Sequence, residues 1–204
     1  TYDNEINKLV KRRLNSIQAK PGTQKAAGMI VALRTMKNKQ GSTMAFLTLD
    51  DRTARIEVSV FAKVFNEMRE LLIKDAIIIV EGQIRNDDFT KGLSMRANRI
   101  QSLAQAREEL TQAIQINLNH KQCDSDLLAN LQTIITDQHA ERSLGNCQIS
   151  INYNNGRIKT AINLGDAWRI VPSEKLLNDL RELCGEKEVQ VIYRDSQALR
   201  LLNN

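Results

Sequence analysis

Residues 23–61, TQKAAGMIVALRTMKNKQGSTMAFLTLDDRTARIEVSVF, contain three runs of alternating apolar residues separated by two short polar breaks. Successive side chains of a β-strand point to opposite faces of a sheet, so each alternating set occupies one face. The breaks at 38–41 and 50–53 have the composition of tight turns. We therefore predict a three-stranded antiparallel meander. The apolar sets are Ala27, Met29, Val31 and Leu33 in the first strand, Ala45, Leu47 and Leu49 in the second, and Ile56, Val58 and Val60 in the third.

The segment after the meander indicates which fold the strands belong to. Residues 61–72 carry apolar side chains at helical spacing, and two further alternating runs, 76–80 and 92–100, flank a turn at 85–88. The helical set is Phe61, Val64, Phe65, Met68, Leu71 and Leu72. The order strand, strand, strand, helix, strand, strand is that of an OB-fold, a five-stranded Greek-key barrel whose face on strands two and three commonly binds oligonucleotides. Gly28, Gly82 and Gly92 are expected at sharp bends of this barrel.

A second, smaller unit of strand-helix-strand-strand-helix-strand order is predicted after the barrel, so the chain is α+β and mostly β. Its signals are a strand at 113–118, helix-start oxygens at 124–126, a polar loop at 137–146, an Asn-Gly hairpin at 154–156, a helix from Pro172-Ser173 and a last strand at 189–193. The predicted organisation is a leading region with an amphipathic helix over 3–17 (1–22), the OB-fold (23–103), a helical connector (104–112), the α+β domain (113–193) and a tail (194–204).

The composition is that of a globular protein without a membrane segment. The hydrophobic fraction is 42% and the charged fraction 26%, and no apolar run approaches the roughly 18 residues of a membrane helix. Cys123, Cys147 and Cys184 form no CxxC pair, so neither a disulfide framework nor a zinc site is indicated. We expect a cytoplasmic protein and, since residue 1 is Thr, a fragment of a longer chain. The net charge of +5 mildly favours a polyanionic partner.

The sequence contains no recognisable set of catalytic residues. His120 and His139 have no nucleophile nearby in sequence, and no P-loop, GxGxxG, HExxH or GxSxG pattern occurs. The acid pairs Asp50-Asp51 and Asp87-Asp88 carry the oxygen ligands that Mg²⁺ prefers, but both fall in predicted turns, where they can cap backbone amides. We therefore expect no catalytic residue, metal or cofactor within this chain.

The outer face of the predicted barrel is the strongest candidate for a functional site. If Leu47 and Leu49 fill the interior, Phe46 points outward, where a base can stack on its ring. The basic residues expected to follow a phosphate backbone around it are Arg34, Lys37, Lys39, Arg52 and Arg55. The alternative is that Phe46 packs under the neighbouring domain and these charges are only solvated. In the second unit, Trp168 belongs either to the core or, with Arg169, to a docking surface, since interfaces are rich in both residue types.

Four stretches of the chain resemble a known family. TLDDRTARIEVSVF, IIIVEGQIRNDDF, AWRIVPSEKLLNDLREL and EVQVIY are similar to the C-terminal region of the alpha subunit of bacterial DNA polymerase III, a C-family replicative polymerase. The resemblance covers nearly the whole chain. It implies an OB-fold that contacts single-stranded template and a domain that binds the tau subunit of the clamp loader, among other holoenzyme subunits. The polymerase palm, with its metal-binding aspartates and Mg²⁺, is implied to lie upstream of these residues.

The same resemblance implies positions for both contacts. It places template near Arg34, Lys37, Lys39, Phe46 and Arg55, and tau contact near Trp168, Arg169, Val191 and Tyr193. Two other functions remain open on the residues alone. One is the anticodon-binding barrel of an aminoacyl-tRNA synthetase, whose second strand carries a pattern like Phe46-Leu47-Thr48-Leu49, although no synthetase signature follows. The other is a protein adaptor in which both domains only dock partners.

Overall fold

The computed structural model describes residues 2–87, 92–141 and 145–194. The chain separates into two compact units, Thr1–Ala106 and Arg107–Asn204. The elements of the first unit are α1 (Tyr2–Leu9), β1 (Gln24–Lys37), β2 (Thr43–Asp50), β3 (Arg55–Val60), α2 (Ala62–Met68), β4 (Ile77–Asn86) and β5 (Leu93–Ser102), with short 3₁₀ turns at Leu14–Ser16 and Arg69–Leu71. A further helix, α3 (Leu103–Leu110), follows β5 directly. The predicted tail beyond residue 194 lies outside the described residues, as does Asp88 of the second acid pair.

The first unit is a closed barrel with the strand order β1-β2-β3-β5-β4. All neighbouring strands are antiparallel except β3 and β5, whose parallel pairing closes the barrel. The helix α2 connects β3 to β4 and buries Val64 and Phe65. This is the topology of an OB-fold, so the predicted fold class is confirmed.

The interior of the barrel confirms the alternation predicted for the second and third strands. Leu47 and Leu49 are 1% and 0% exposed, and the opposite set on β3, including Val58, is equally buried. The same core takes in residues from β1, β4, β5 and the segment before β1. These include Ala26, Ile30, Ile78, Val80, Ile84, Met95, Ile100, Leu14 and Ile17.

The alternation predicted for the first strand is wrong over most of its length. Before Val31 the residues in the barrel core are Ala26 and Ile30, whereas Met29 is 37% exposed and Ala27, although only 4% exposed, does not belong to that core. The pairing of β1 with β2 shifts register between Ile30 and Ala32, which marks a β-bulge. An extra residue at a bulge exchanges the two faces of a strand, so Leu33 on the far side packs against the core as predicted.

The leading helix is shorter than predicted, because α1 ends at Leu9 rather than continuing to residue 17. In a longer helix the amide of Leu14 would donate to the carbonyl of Val10. It donates instead to Oδ2 of Asp51 at 2.8 Å, across the turn between β2 and β3. The amide of Asn15 likewise donates to the Thr53 hydroxyl at 3.3 Å. The turn between β2 and β3 therefore accepts hydrogen bonds from backbone amides that would have bonded within a longer helix.

Asp51 is the centre of this connection. Its Oδ1 accepts hydrogen bonds from the amides of Thr53 and Ala54 and from the Thr53 hydroxyl, at 2.7–3.1 Å. Burial raises the pKa of this carboxyl, but the hydrogen bonds from Thr53, Leu14 and Ala54 outweigh burial and hold the pKa below its ordinary value of 3.8. The prediction that this acid pair caps a turn is confirmed.

Gly82 is required for close strand packing, in agreement with the prediction for the strand glycines. It lies at the irregularity between Glu81 and Gly82 in the pairing of β4 with β5. A Cβ atom there would lie 2.1 Å from the carbonyl oxygen of Arg96, a distance that real structures do not tolerate. Only a residue without a side chain lets the two strands pair at this bend.

The second unit contains β6 (Thr111–Asn119), α4 (Ser125–Glu141), β7 (Gln148–Asn154), β8 (Lys159–Asn163), α5 (Glu174–Cys184) and β9 (Val189–Tyr193), with a 3₁₀ turn at Asp166–Trp168. The sheet order is β8-β7-β6-β9, with β6 and β7 parallel and the outer pairs antiparallel. The predicted strand-helix-strand-strand-helix-strand order is confirmed. Its core joins the sheet to both helices through residues such as Ile114, Ile116, Ile135, Ile149, Leu176 and Leu180.

Local signals fix the ends of these elements, with one exception. Asp124 and Ser173 accept hydrogen bonds from the amides three residues on, at 2.8 and 3.2 Å, and so cap α4 and α5. The loop predicted at 137–146 is wrong in its first half, because α4 continues to Glu141. No Gly or Pro lies between Ser125 and Gly145, so helical backbone extends beyond the apolar stripe that indicated the helix. None of the helices in the described ranges is long and apolar enough to cross a membrane.

We predict that Asp51→Ala destabilises the first unit by about 1–3 kcal/mol, because it leaves the buried amide of Leu14 without an acceptor. Urea unfolding followed by circular dichroism measures this change. The contribution of Asp51 is present above pH 3.8 and is lost as the pH falls through the lowered pKa of the folded state, so the variant and wild type should converge in acid.

Asp50→Ala is the matched control, because Asp50 lies beside Asp51 but bonds only the exposed Arg55 side chain and the Arg52 amide. It should destabilise the protein less than Asp51→Ala does. Equal losses for the two variants, or a gap that persists below the lowered pKa, would contradict the role assigned to Asp51.

Candidate nucleic-acid interface

The pairing of the strands determines which side chains lie next to one another on the outer face of the barrel. Arg34 on β1 pairs with Phe46 on β2, and Phe46 pairs with Ser59 on β3. The parallel closure then pairs Ser59 with Arg96 on β5. Residues paired directly across strands share a face, so these four side chains form one row on the outside of the barrel.

Phe46 lies at the centre of this row, as predicted, and a guanidinium already covers its ring. The Cζ atom of Arg34 lies 4.6 Å from the ring centroid, and its Nη2 reaches Oε2 of Glu57 at 3.4 Å. An exposed cation over a ring contributes about 0.5–1 kcal/mol, whereas a stacked base contributes about 1–3 kcal/mol. A base can therefore take the place of Arg34 on Phe46.

Lys37 and Lys39 lie where β1 turns into β2, beyond one end of this face, and Lys37, three residues from Arg34, is on the opposite side of the strand from it. The side chain of Asn38 accepts hydrogen bonds from the amides of Gln40 and Ser42, both at 2.9 Å, and Gly41 adopts a φ of 77°. The turn is thus held by its own side chain. Both lysines are exposed, and neither forms an ion pair with a residue the structure describes, so their charges are available to an anion.

Arg52 and Arg55 lie at the opposite end, at the turn between β2 and β3. Nε of Arg55 donates to Oδ2 of Asp50 at 2.7 Å, and this bond, with the amide of Arg52, holds the pKa of Asp50 below its ordinary value of 3.8. Asp50 is four residues from Phe46, about 13 Å along the strand. The predicted cations therefore do not form one cluster. They lie in or beside the two turns that bound β2, with Arg34 between them, and Asp50 already partners Arg55.

Two residues that were not predicted as site residues, Phe61 and Arg96, also lie on this face. Phe61 was predicted on the apolar side of a helix, which is wrong: it precedes α2 in extended conformation and is 41% exposed. Arg96 on β5 covers its ring, with Cζ 4.6 Å from the centroid. The alternation of β3 continues into Phe61 and was the signal available for it, whereas nothing local indicates the pairing with Arg96.

The described residues do not suggest a catalytic or metal site. The Asp50 and Asp51 carboxylates are occupied by the turn, and no group of three or more His, Cys, Asp or Glu within the described ranges is placed to hold a metal. All three cysteines are free, and burial raises the pKa of the Cys147 thiol to about 12. A thiol held protonated in this way is a poor nucleophile.

The residues expected to contact a partner lie at one end of the second sheet. Trp168 packs partly against the core, and Arg169 bonds Oδ1 of Asp166 at 2.8 Å and the carbonyl of Asn146 at 3.0 Å. The next residue, Ile170, forms a bridge to Cys147 just before β7. Tyr193 at the end of β9 is half-buried, whereas Val191 is buried and its side chain belongs to the core.

The most exposed apolar side chains of the described second unit are elsewhere. Ile158 lies in the turn between β7 and β8 and is 62% exposed, and Ile162 lies on β8, all of whose residues are exposed. Leu128 on α4 is also exposed. Neither Ile158 nor Ile162 was predicted to be a surface residue.

Both units match known families. Residues 25–103 match the model of an OB-fold nucleic acid binding domain, and residues 130–185 match the model of the DNA polymerase III subunit alpha, C-terminal domain. Among solved structures, a domain of replication protein A from Methanococcus maripaludis aligns with a TM-score of 0.36 and 14% identity, covering 45% of this chain and 92% of that chain.

Curated relatives of the chain include DNA polymerase III alpha subunits. The Pseudomonas fluorescens protein is 38% identical over 193 residues, which is 95% of this chain and 16% of the relative. The Escherichia coli K12 protein is 36% identical over 168 residues, which is 82% of this chain and 14% of the relative. The chain thus spans at most about one sixth of these relatives, but the similarity runs through the barrel and the second unit alike. The chain is therefore similar to the C-terminal region of DNA polymerase III alpha subunits over most of its length, and its match to that subunit's C-terminal domain follows a match to an OB-fold.

Proposed function

We propose that the barrel binds single-stranded DNA on the face centred on Phe46 and that the second unit binds the tau subunit of the clamp loader. The observation that carries the first part is a phenylalanine ring on the outside of an OB-fold, with Arg34 over it and further cations in or beside the turns at both ends of β2. In the whole protein we propose a DNA polymerase, whose Mg²⁺-dependent nucleotidyl transfer would belong to the part of the relatives that this chain does not span.

The chemistry of the face favours a single strand over a duplex. A ring contributes stacking only to a base whose own face is free, and a paired base in a duplex is already stacked on its neighbours. Lys37, Lys39 and Arg52 can neutralise phosphates without reading base edges. Binding should therefore tolerate any sequence and weaken as salt rises.

The proposal for tau rests on the family and on one end of the second sheet. Trp168, Arg169 and Tyr193 are residue types enriched in interface cores and hot spots. Arg169 is fixed by Asp166, so a partner would meet an ordered guanidinium rather than a mobile one. We assign Val191 a supporting role in the core against which Tyr193 packs, because the Val191 side chain is buried.

We predict that Phe46→Ala weakens binding of labelled oligo(dT) by about 5- to 150-fold, the equivalent of one stacked base. Fluorescence anisotropy at fixed salt measures the affinity. Phe46→Trp should retain binding because it keeps a stacking face. The circular dichroism spectrum should be unchanged in both variants, because Phe46 points away from the barrel core.

A wild-type chain that does not bind oligo(dT) at low salt would refute the single-strand proposal and favour the adaptor alternative. Affinity that is unchanged in Phe46→Ala would remove that ring from the site. Preference for RNA over DNA of the same sequence would point to recognition of the 2′-hydroxyl instead.

For the second unit we predict that Trp168→Ala weakens binding of purified tau subunit by about 30-fold, the loss expected of an interface hot spot. Surface plasmon resonance with the immobilised chain measures it. Trp168→Phe, which keeps the packing against the core, separates loss of contact from loss of folding. Ile158→Ala is the matched control, since Ile158 is an exposed apolar residue at the opposite end of the sheet. Equal losses for Trp168→Ala and Ile158→Ala would contradict the assignment.

A further inference from the structure

We propose that Phe61 and Arg96 form a second base-stacking site beside Phe46 and Arg34, so that the barrel face holds two neighbouring bases of one strand. This inference rests on the proposed binding of single-stranded DNA and extends it to residues that the family resemblance did not point to.

The backbone places Phe61 on the same face as Phe46. Along β3 the buried residues are Ile56, Val58 and Val60, and the alternation continues into Phe61, whose φ of −77° and ψ of 163° keep the chain extended. Phe61 therefore follows Ser59 on the outer face, two residues further along.

The two rings are diagonal neighbours across the strand pair. Ser59 is the direct partner of Phe46, so Phe61 is displaced from Phe46 by two residues on the adjacent strand. Diagonal positions of this kind lie about 7–8 Å apart, within reach of large side chains. Ser59, which pairs with Phe46, and Met44, which precedes Phe46 by two residues on the same face, flank the diagonal between the two rings.

The second site repeats the chemistry of the first. In each, a guanidinium lies 4.6 Å from the ring centroid of a phenylalanine on the barrel face. Arg34 also reaches a carboxylate, that of Glu57, whereas Arg96 forms no ion pair with the residues that the structure describes. Arg96 is thus the less neutralised of the two cations, and an anion meets its charge with less competition.

The same two contacts form at each site. A base stacks on the ring and displaces the guanidinium, since stacking of a base is the stronger interaction at an exposed ring. The displaced guanidinium lies beside the phosphate that follows that base. Each site thereby supplies one stacking contact and one phosphate contact, and two sites in a diagonal fix the direction in which the strand crosses β2 and β3.

The test uses the full 204-residue chain and labelled oligo(dT) of about 16 nucleotides, the upper end of the site size of one OB-fold. Phe61→Ala should weaken binding by about 5- to 150-fold, as for one lost stacking contact. Ile73→Ala, at an exposed apolar residue of the same unit outside the face, should leave the affinity unchanged. Arg96→Gln should lower the slope of log affinity against log salt by about 0.7, the value for one phosphate of a single strand.

A tryptophan variant provides a readout independent of affinity. Phe61→Trp should bind as tightly as wild type, and its added indole should be quenched by oligo(dT). The wild-type chain, whose one tryptophan is Trp168, gives the background signal.

The outcomes distinguish this inference from the proposed function. If Phe46→Ala weakens binding while Phe61→Ala does not, the second site is refuted and the first remains. If Arg96→Gln leaves the salt slope unchanged, the phosphate contact is refuted. If the wild-type chain binds no oligo(dT), both the proposed function and the second site fail. Thermal unfolding of each variant should match wild type, because Phe61 and Arg96 are exposed.

Discussion

The parallel pairing of β3 with β5 is the constraint on which the rest of the first unit depends. It joins only three residue pairs, yet it turns a curved sheet into a closed barrel with an interior and an exterior. Because aliphatic side chains fill the interior, every intervening residue of β2 and β3 must point outward. The same pairing brings Arg96 next to Ser59, although the two are far apart in the chain. The candidate interface therefore depends on the closure of the barrel as well as on the residues that the strands carry.

The sequence was sufficient to predict the faces of β2 and β3 but not that of β1. In β2 and β3 the alternation of Leu47, Leu49 and Val58 is uninterrupted, and the structure confirms it. In β1 a bulge near Val31 exchanges the two faces, and a mixed run of Ala, Met, Ile and Val carries no signal for where an extra residue is inserted. Phe61 was misassigned because it fits both the end of a strand and the start of a helix. Arg96 was missed because its contact depends on tertiary structure.

In the second unit, turn and cap residues predicted the ends of the elements better than the polarity of a segment did. The Asn-Gly hairpin formed as predicted, with Oδ1 of Asn155 accepting from the amides of Arg157 and Ile158. The polar stretch after residue 136 was misread, because polar residues without Gly or Pro are compatible with a helix. The burial of Val191 was predictable from the alternation of β9, with Val189 equally buried. The partner proposed for this unit, in contrast, rests on resemblance alone, since no arrangement of surface residues specifies one protein among many.

The contact between the Asp51 carboxylate and the Leu14 amide has a consequence for the order of folding. The acceptor exists only once the hairpin of β2 and β3 has turned, and it lies 37 residues from its donor. Local hairpin contacts close sooner than distant ones, because loop closure costs entropy. We therefore expect the segment carrying Leu14 and Ile17 to dock after the transition state, with φ-values near zero. Contacts that form after the transition state affect the rate of unfolding rather than the rate of folding.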